Sequence, residues 1–149
     1  MTPNPSCLLR RTLLSAALVW AAAAPLTAAA ADTVAFSATL NAASEVPANT
    51  SPATGSLEAM LDKGSNVLTW KATYIGLTGP ATAAHFHGPA MAGANAGVVV
   101  PFTSPVSPIE GKATLTEAQV ADLMAGKWYA NVHTAANPGG EIRGQLMMK

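Results

Sequence analysis

The sequence predicts an all-β domain, a small antiparallel β-sandwich or barrel of about seven to eight strands with one short helix. Short segments alternate apolar and polar residues with a period of two, as half-buried strands do. Turn-forming clusters of Gly, Pro, Asn and Asp separate them at regular intervals, and only one segment carries the capping and periodicity of a helix. No heptad pattern, internal repeat or second domain is visible.

Residues 1–31 stand apart from the fold. Arg10 and Arg11 precede an apolar run from Leu13 to Ala24, then Pro25 and a small-residue tract ending Ala29-Ala30-Ala31. That is the layout of a secretory signal peptide, with cleavage expected near Ala31. Arg10-Arg11-Thr12-Leu13-Leu14 also fits a twin-arginine export signal, the other reading being an ordinary basic n-region. The apolar run is too short and too rich in alanine for a lasting membrane span, which takes roughly 20 apolar residues. The expected location is periplasmic or secreted.

Cys7 leaves with the signal, and no small-residue lipobox precedes it. The mature chain therefore has no disulfide and no thiolate metal site, and any metal must be held by His, carboxylate, amide or backbone groups. Residues 32–149 form one domain with six basic and eight acidic side chains, a net charge of about −2. Without a basic stripe, nucleic acid and anionic membranes are poor partners. An unidentified protein or small ligand is the expected partner.

Thr33 to Leu40 alternates, with Val34, Phe36, Ala38 and Leu40 on one face. Asn41 to Thr54 reads as a long loop. Ser56–Leu61 and Val67–Tyr74, joined by the turn Asp62-Lys63-Gly64-Ser65-Asn66, read as a hairpin. Gly76 to Pro80 punctuates the chain before a strand over Thr82–His87. Gly88–Gly97 is an uncharged loop, and the continuous apolar run Val98–Phe102 predicts a strand buried on both faces. Prolines from Pro101 to Pro108 impose an extended connection.

The helix is expected over Glu117–Ala125. Thr116 caps it, Gln119 completes a capping box, Leu115 faces Val120 as a staple, and Gly126 stops it. Its apolar stripe should pack on the end of the sheet. Trp128–His133 is the next strand, Asn137-Pro138-Gly139-Gly140 a turn, and Glu141–Met147 the closing strand.

The chain has three histidines, and all lie in two of these strands. Alternation puts His85 and His87 on one face of the first and Tyr129, Asn131 and His133 on one face of the second. If the strands are neighbours, three imidazoles meet on one patch, a suitable ligand set for Zn, with an open fourth position, or for Cu. The competing reading is a structural network, in which the rings bond to neighbouring backbone, Asn131 or Glu141, since an unpaired buried polar group costs about 1–3 kcal/mol. Glu141 and Arg143 share a face of the last strand. Arg143 could pair with Glu45 or another carboxylate and lock the Asn41–Thr54 loop to the sheet, and Glu141 could instead orient a metal-bound His. Met147 and Met148 are weaker, soft candidates for Cu(I).

Four segments together resemble a known family. They are Glu45-Val46-Pro47, Ala84-His85-Phe86-His87-Gly88-Pro89, Tyr129-Ala130-Asn131-Val132-His133-Thr134, and Asn137-Pro138-Gly139-Gly140-Glu141-Ile142-Arg143-Gly144-Gln145-Leu146. They resemble the CHRD domain, named from chordin and found singly in exported bacterial proteins. The resemblance runs from about Val34 to Leu146. It implies a β-rich extracellular module and no particular reaction.

These readings combine into an exported CHRD-like β-sandwich that acts as a non-catalytic binding or structural module. It carries a candidate Cu or Zn patch at His85, His87 and His133, with Glu45, Asn131, Glu141 and Arg143 as supporting residues. The alternative is a small metalloenzyme whose open three-His site acts on water or oxygen species. No Ser-His-Asp arrangement, carboxylate pair or phosphate loop can be assembled.

Overall fold

The computed structural model describes Met1 and residues 32–149, so the expected signal peptide and its cleavage point lie outside the described residues. The elements in order are β1 (Thr33–Asn41), a short 3-10 turn (Ala42–Ser44), β2 (Thr54–Asp62), β3 (Val67–Ile75), β4 (Ala81–His87), β5 (Val98–Pro101), β6 (Ile109–Thr114), α1 (Glu117–Met124), β7 (Tyr129–Thr134), β8 (Ile142–Gln145) and β9 (Met147–Met148). Eight strands form one continuous antiparallel sheet in the order β5-β4-β7-β8-β1-β2-β3-β6, and the two-residue β9 pairs with β1.

β1, β2 and β3 are laddered along their whole lengths, from Thr33 opposite Asp62 to Asn41 opposite Thr54, and from Asp62 opposite Val67 to Thr54 opposite Ile75. Their alternation sends Phe36, Ala38, Leu40, Leu57, Ala59, Leu61, Leu68, Trp70 and Ala72 into one core. The hairpin turn between β2 and β3 is closed by Asp62, whose Oδ1 accepts from the backbone of Gly64 and Ser65, while Asn66 takes a left-handed φ of 56°.

The sheet curls until its two ends nearly meet. Trp70 of β3 lies 5.1 Å, centroid to centroid, from both Phe86 of β4 and Phe102 just after β5, and the two phenylalanines are 4.8 Å apart. Aromatic rings thus fill the seam between edges that are not hydrogen-bonded to each other. Tyr74 fixes the proline-rich crossing over this seam, donating to the Pro105 carbonyl at 2.8 Å and accepting from the Ser107 N–H.

The strand β6 is absent from the sequence reading. Of its inward positions only Ile109 is large, and Gly111 sits opposite Trp70 where a Cβ would strike the indole. The alternation is there, but the space is filled from across the ladder. The run Val98–Phe102, expected to be buried on both faces, is instead the edge strand β5. It pairs only with β4, and Val98 is 52% exposed. The expected closing strand is divided, with Glu141 ahead of β8 and Leu146 buried between β8 and β9. Met147 and Met148 are both exposed on β9.

The helix forms where the capping signals put it. Thr116 accepts from the Gln119 N–H, the Gln119 side chain accepts from the Thr116 N–H, and Leu123 anchors it to the core. Gly126, with φ 70°, ends it.

Phe86 is fully buried at the seam and stands between His85 and His87. Phe86→Ala is expected to destabilise the domain by about 3–5 kcal/mol through the cavity it opens. Urea denaturation measures this; an unchanged midpoint would mean that the ring junction does not hold the barrel.

Candidate metal centre

The site is created by one strand pairing. β4 and β7 lie side by side with Ala83 opposite His133, His85 opposite Asn131 and His87 opposite Tyr129. Because side chains alternate, these six residues project from the outer face, while Ala84, Phe86, Ala130 and Val132 face the core. β8 continues the layer, with Arg143 opposite Asn131 and Gln145 opposite Tyr129.

This outer face is not left to water. The loops after β1 and β4 fold across it and are pinned by its polar groups. Arg143 donates to Asn95 Oδ1 at 2.8 Å and to the Ala94 carbonyl, and Asn95 donates to the Val46 carbonyl. Gln145 donates to the carbonyls of Ala90 and Gly126. All six residues of β7 are consequently buried, on both faces.

Under that cover the three histidines converge, with one nitrogen from each within 4.8 Å of the others. His85 Nδ1 is 3.2 Å from His133 Nε2. His87 and His133 are buried and His85 is partly exposed, so access to the cluster is from the His85 side. Two rings are oriented by backbone. His87 Nδ1 donates to the Ala96 carbonyl and His133 Nδ1 to the Pro138 carbonyl, both at 3.0 Å. A carbonyl only accepts, so in the neutral rings the proton is on Nδ1 and the lone pair on Nε2. His87 Nε2 is buried and has no partner among the described residues. The Asn131 amide lies 2.9 Å from His133 Nε2. Its oxygen inwards adds a further electron pair to the centre; turned over, its NH2 would satisfy the ring. Burial lowers the pKa of His85 and of His133, and the neighbouring imidazoles add to the effect.

The His87 ring is stacked on Tyr129 at 4.8 Å, with 3° between the planes, and the Arg143 guanidinium lies 3.3 Å from the Tyr129 centroid. Since β7 is the middle strand of the three, Tyr129 separates the cation from the histidine. The alternation had already put Tyr129 on this face. The carbonyls of Ala96 and Pro138 carry no side-chain signal and could not have been read from sequence.

The supporting residues take separate places. Glu141 accepts from Ser51 Oγ (2.6 Å), Thr78 N (2.7 Å), Thr78 Oγ1 (2.8 Å) and Thr134 Oγ1 (2.5 Å), and bonds to no histidine. Burial would raise its pKa, but these donors outweigh burial and hold it at about 2. Orientation of the rings falls to Ala96, Pro138 and Asn131 rather than to Glu141. Arg143 and Glu45 form no ion pair within 4 Å, because the arginine's donors are directed to Asn95 and Ala94. Glu45 is buried with Oε1 unpartnered, and its carboxylate occupies the space a side chain at Gly140 (φ 132°) would need. Burial pushes its pKa up to about 7, against the pull of Arg143 and the Val46 N–H.

The architecture and this cluster define a small β-barrel module whose covered outer face carries convergent imidazoles. The profile of the CHRD domain matches residues 36–146, and the chain belongs to the CHRD domain family. No curated protein and no solved structure matches it.

Glu45 provides a test of the covered layer. Its folded pKa lies above the ordinary 4.5, so the contribution it makes is intact below that pH and is lost as pH rises through about 7. Glu45→Gln is therefore expected to be nearly neutral at pH 4 and to stabilise the domain at pH 8 by up to about 3 kcal/mol. Urea unfolding at the two pH values measures the difference; an equal effect at both would mean that folding does not raise the pKa of Glu45.

Proposed function

We propose that this chain is an exported, periplasmic or secreted binding module that holds one copper or zinc ion on His85, His87 and His133. One observation carries the reading: two buried imidazoles donate Nδ1–H to backbone carbonyls, which leaves each Nε2 an acceptor, that of His87 without a partner among the described residues and that of His133 facing His85 Nδ1 and the Asn131 amide. Metal-binding histidines are oriented in this way, by a backbone or carboxylate acceptor on the other nitrogen. The spacing is also suitable. Nitrogens about 2.0–2.1 Å from a tetrahedral ion are about 3.3 Å apart, close to the 3.2 Å between His85 and His133. Closing the remaining separation, 4.8 Å or less, takes a shift on the order of 1 Å.

Binding is favoured over catalysis. Activating water on an ion calls for a nearby base, and both oxygens of Glu141 are engaged by Ser51, Thr78 and Thr134. Export is supported by the signal-like residues 1–31 and by the extracellular character of the family. Among the described residues, no helix is long and apolar enough to cross a membrane.

The test uses mature protein without a His tag, assayed by elemental analysis and titration with Cu and Zn. Binding of one ion per chain is expected, with affinity lowered at least ~100-fold in His85→Ala and His133→Ala. Absence of binding by the wild type would refute the proposal. Because the pKa values of His85 and His133 are lowered, protons should begin to displace the ion only below pH 6.5. Affinity that is flat down to pH 4 would indicate ligands other than histidine.

A further inference from the structure

Imidazole suits copper and zinc alike, so the ligand type alone does not choose between them. The surrounding charge does. The convergent donors are three imidazoles with no carboxylate among them. Glu141, the carboxylate nearest in sequence to His133, is surrounded by hydroxyl and N–H donors of its own. Arg143 is 2% exposed, and its hydrogen bonds go to the uncharged acceptors Asn95 Oδ1 and the Ala94 carbonyl. No acidic group lies within ion-pairing distance of it among the described residues. Glu45 feels the arginine's charge but is itself pushed towards the neutral form by burial.

This positive charge is also close to the site. Through the Tyr129 stack the guanidinium is about 8 Å or less from the His87 ring, the two stacking distances of 3.3 and 4.8 Å being taken end to end. At that range, under cover, salt screens little. A fixed cation repels a divalent ion twice as strongly as a monovalent one at the same place.

Given the metal reading above, on which this rests, we infer that the site selects monovalent copper, Cu(I), over the divalent ions Zn(II) and Cu(II). Tyr129 and Arg143 are positioning and field-setting residues that do not touch the ion. Their effect is on the ratio of affinities more than on binding itself.

The experiment measures Cu(I) affinity under anaerobic conditions by competition with a chromophoric Cu(I) chelator, and Zn(II) affinity by competition with a Zn(II) chelator. The protein is the full mature chain. Wild type is expected to bind Cu(I) more tightly than Zn(II). Arg143→Gln should move the ratio towards Zn(II) by on the order of tenfold, and Arg143→Lys, which keeps the charge, should preserve it. Since Arg143 is buried, Ala83→Asp supplies a second, independent arm. Position 83 faces His133 across the ladder, is only partly buried, and would bring a negative charge to the same face. It should shift the ratio in the same direction. Tighter binding of Zn(II) by wild type, or a ratio unmoved by both Arg143→Gln and Ala83→Asp, would overturn the selection by charge and leave the metal site standing. Failure of wild type to bind either ion would remove both.

Discussion

The arrangement rests on the register between β4 and β7. His85 opposite Asn131 and His87 opposite Tyr129 bring His133 to the same face, two pairs along. In a ladder with a side-chain period of two, sliding either strand by one residue would send its polar set into the core. Phe86, Ala84, Ala130 and Val132 prevent that, because their burial fixes which face is inward. The apolar side of the two strands thus determines where the imidazoles meet. A core contact, the seam of Trp70, Phe86 and Phe102, and a polar cluster on the far side of the same strand are consequences of one pairing.

The outer face of β4, β7 and β8 is an unusual use of a barrel surface. An antiparallel sheet commonly leaves one face to water, yet here every residue of β7 is buried. The covering loops have few apolar side chains to contribute, and they are held by hydrogen bonds to carbonyls and amides instead. Arg143, Gln145, Asn95 and Tyr129 supply most of these. Such a layer carries charge at a cost, and its two carboxylates and its guanidinium meet that cost differently. Glu141 is stabilised as an anion by four donors, the Arg143 guanidinium donates to neutral oxygens, and Glu45, lacking a donor for Oε1, shifts towards its protonated form.

Much of this was legible in the sequence, for identifiable reasons. The strands β1, β2, β3, β4 and β7 alternate cleanly, and each was read within a residue or two of its bounds. The helix was legible because Thr116, Gln119 and Gly126 are local signals that need no tertiary context. Face sharing by His85 and His87, and by Tyr129, Asn131 and His133, also followed from period two alone. What failed needed a partner to be known. The sequence does not disclose β6, because Gly111 makes room for Trp70 across the ladder, and the apolar run of β5 does not reveal that its strand lies at an edge. The expected Arg143–Glu45 contact did not form because two neutral acceptors in the loop over Arg143 take its donors, a competition that residue types cannot show.

The same distinction bears on why this cluster could hold an ion. A purely structural network gives each buried nitrogen its own partner. Here the backbone satisfies Nδ1 of His87 and of His133, and no group among the described residues meets Nε2 of His87. An unpaired buried nitrogen costs about 1–3 kcal/mol, and removing it would be simple, since Phe or Leu could fill the volume. Instead the fold orients the ring from three sides, by the Ala96 carbonyl, the Tyr129 stack and the strand itself, next to the rings of His85 and His133. Rigid orientation combined with an unmet lone pair is what a ligand site needs.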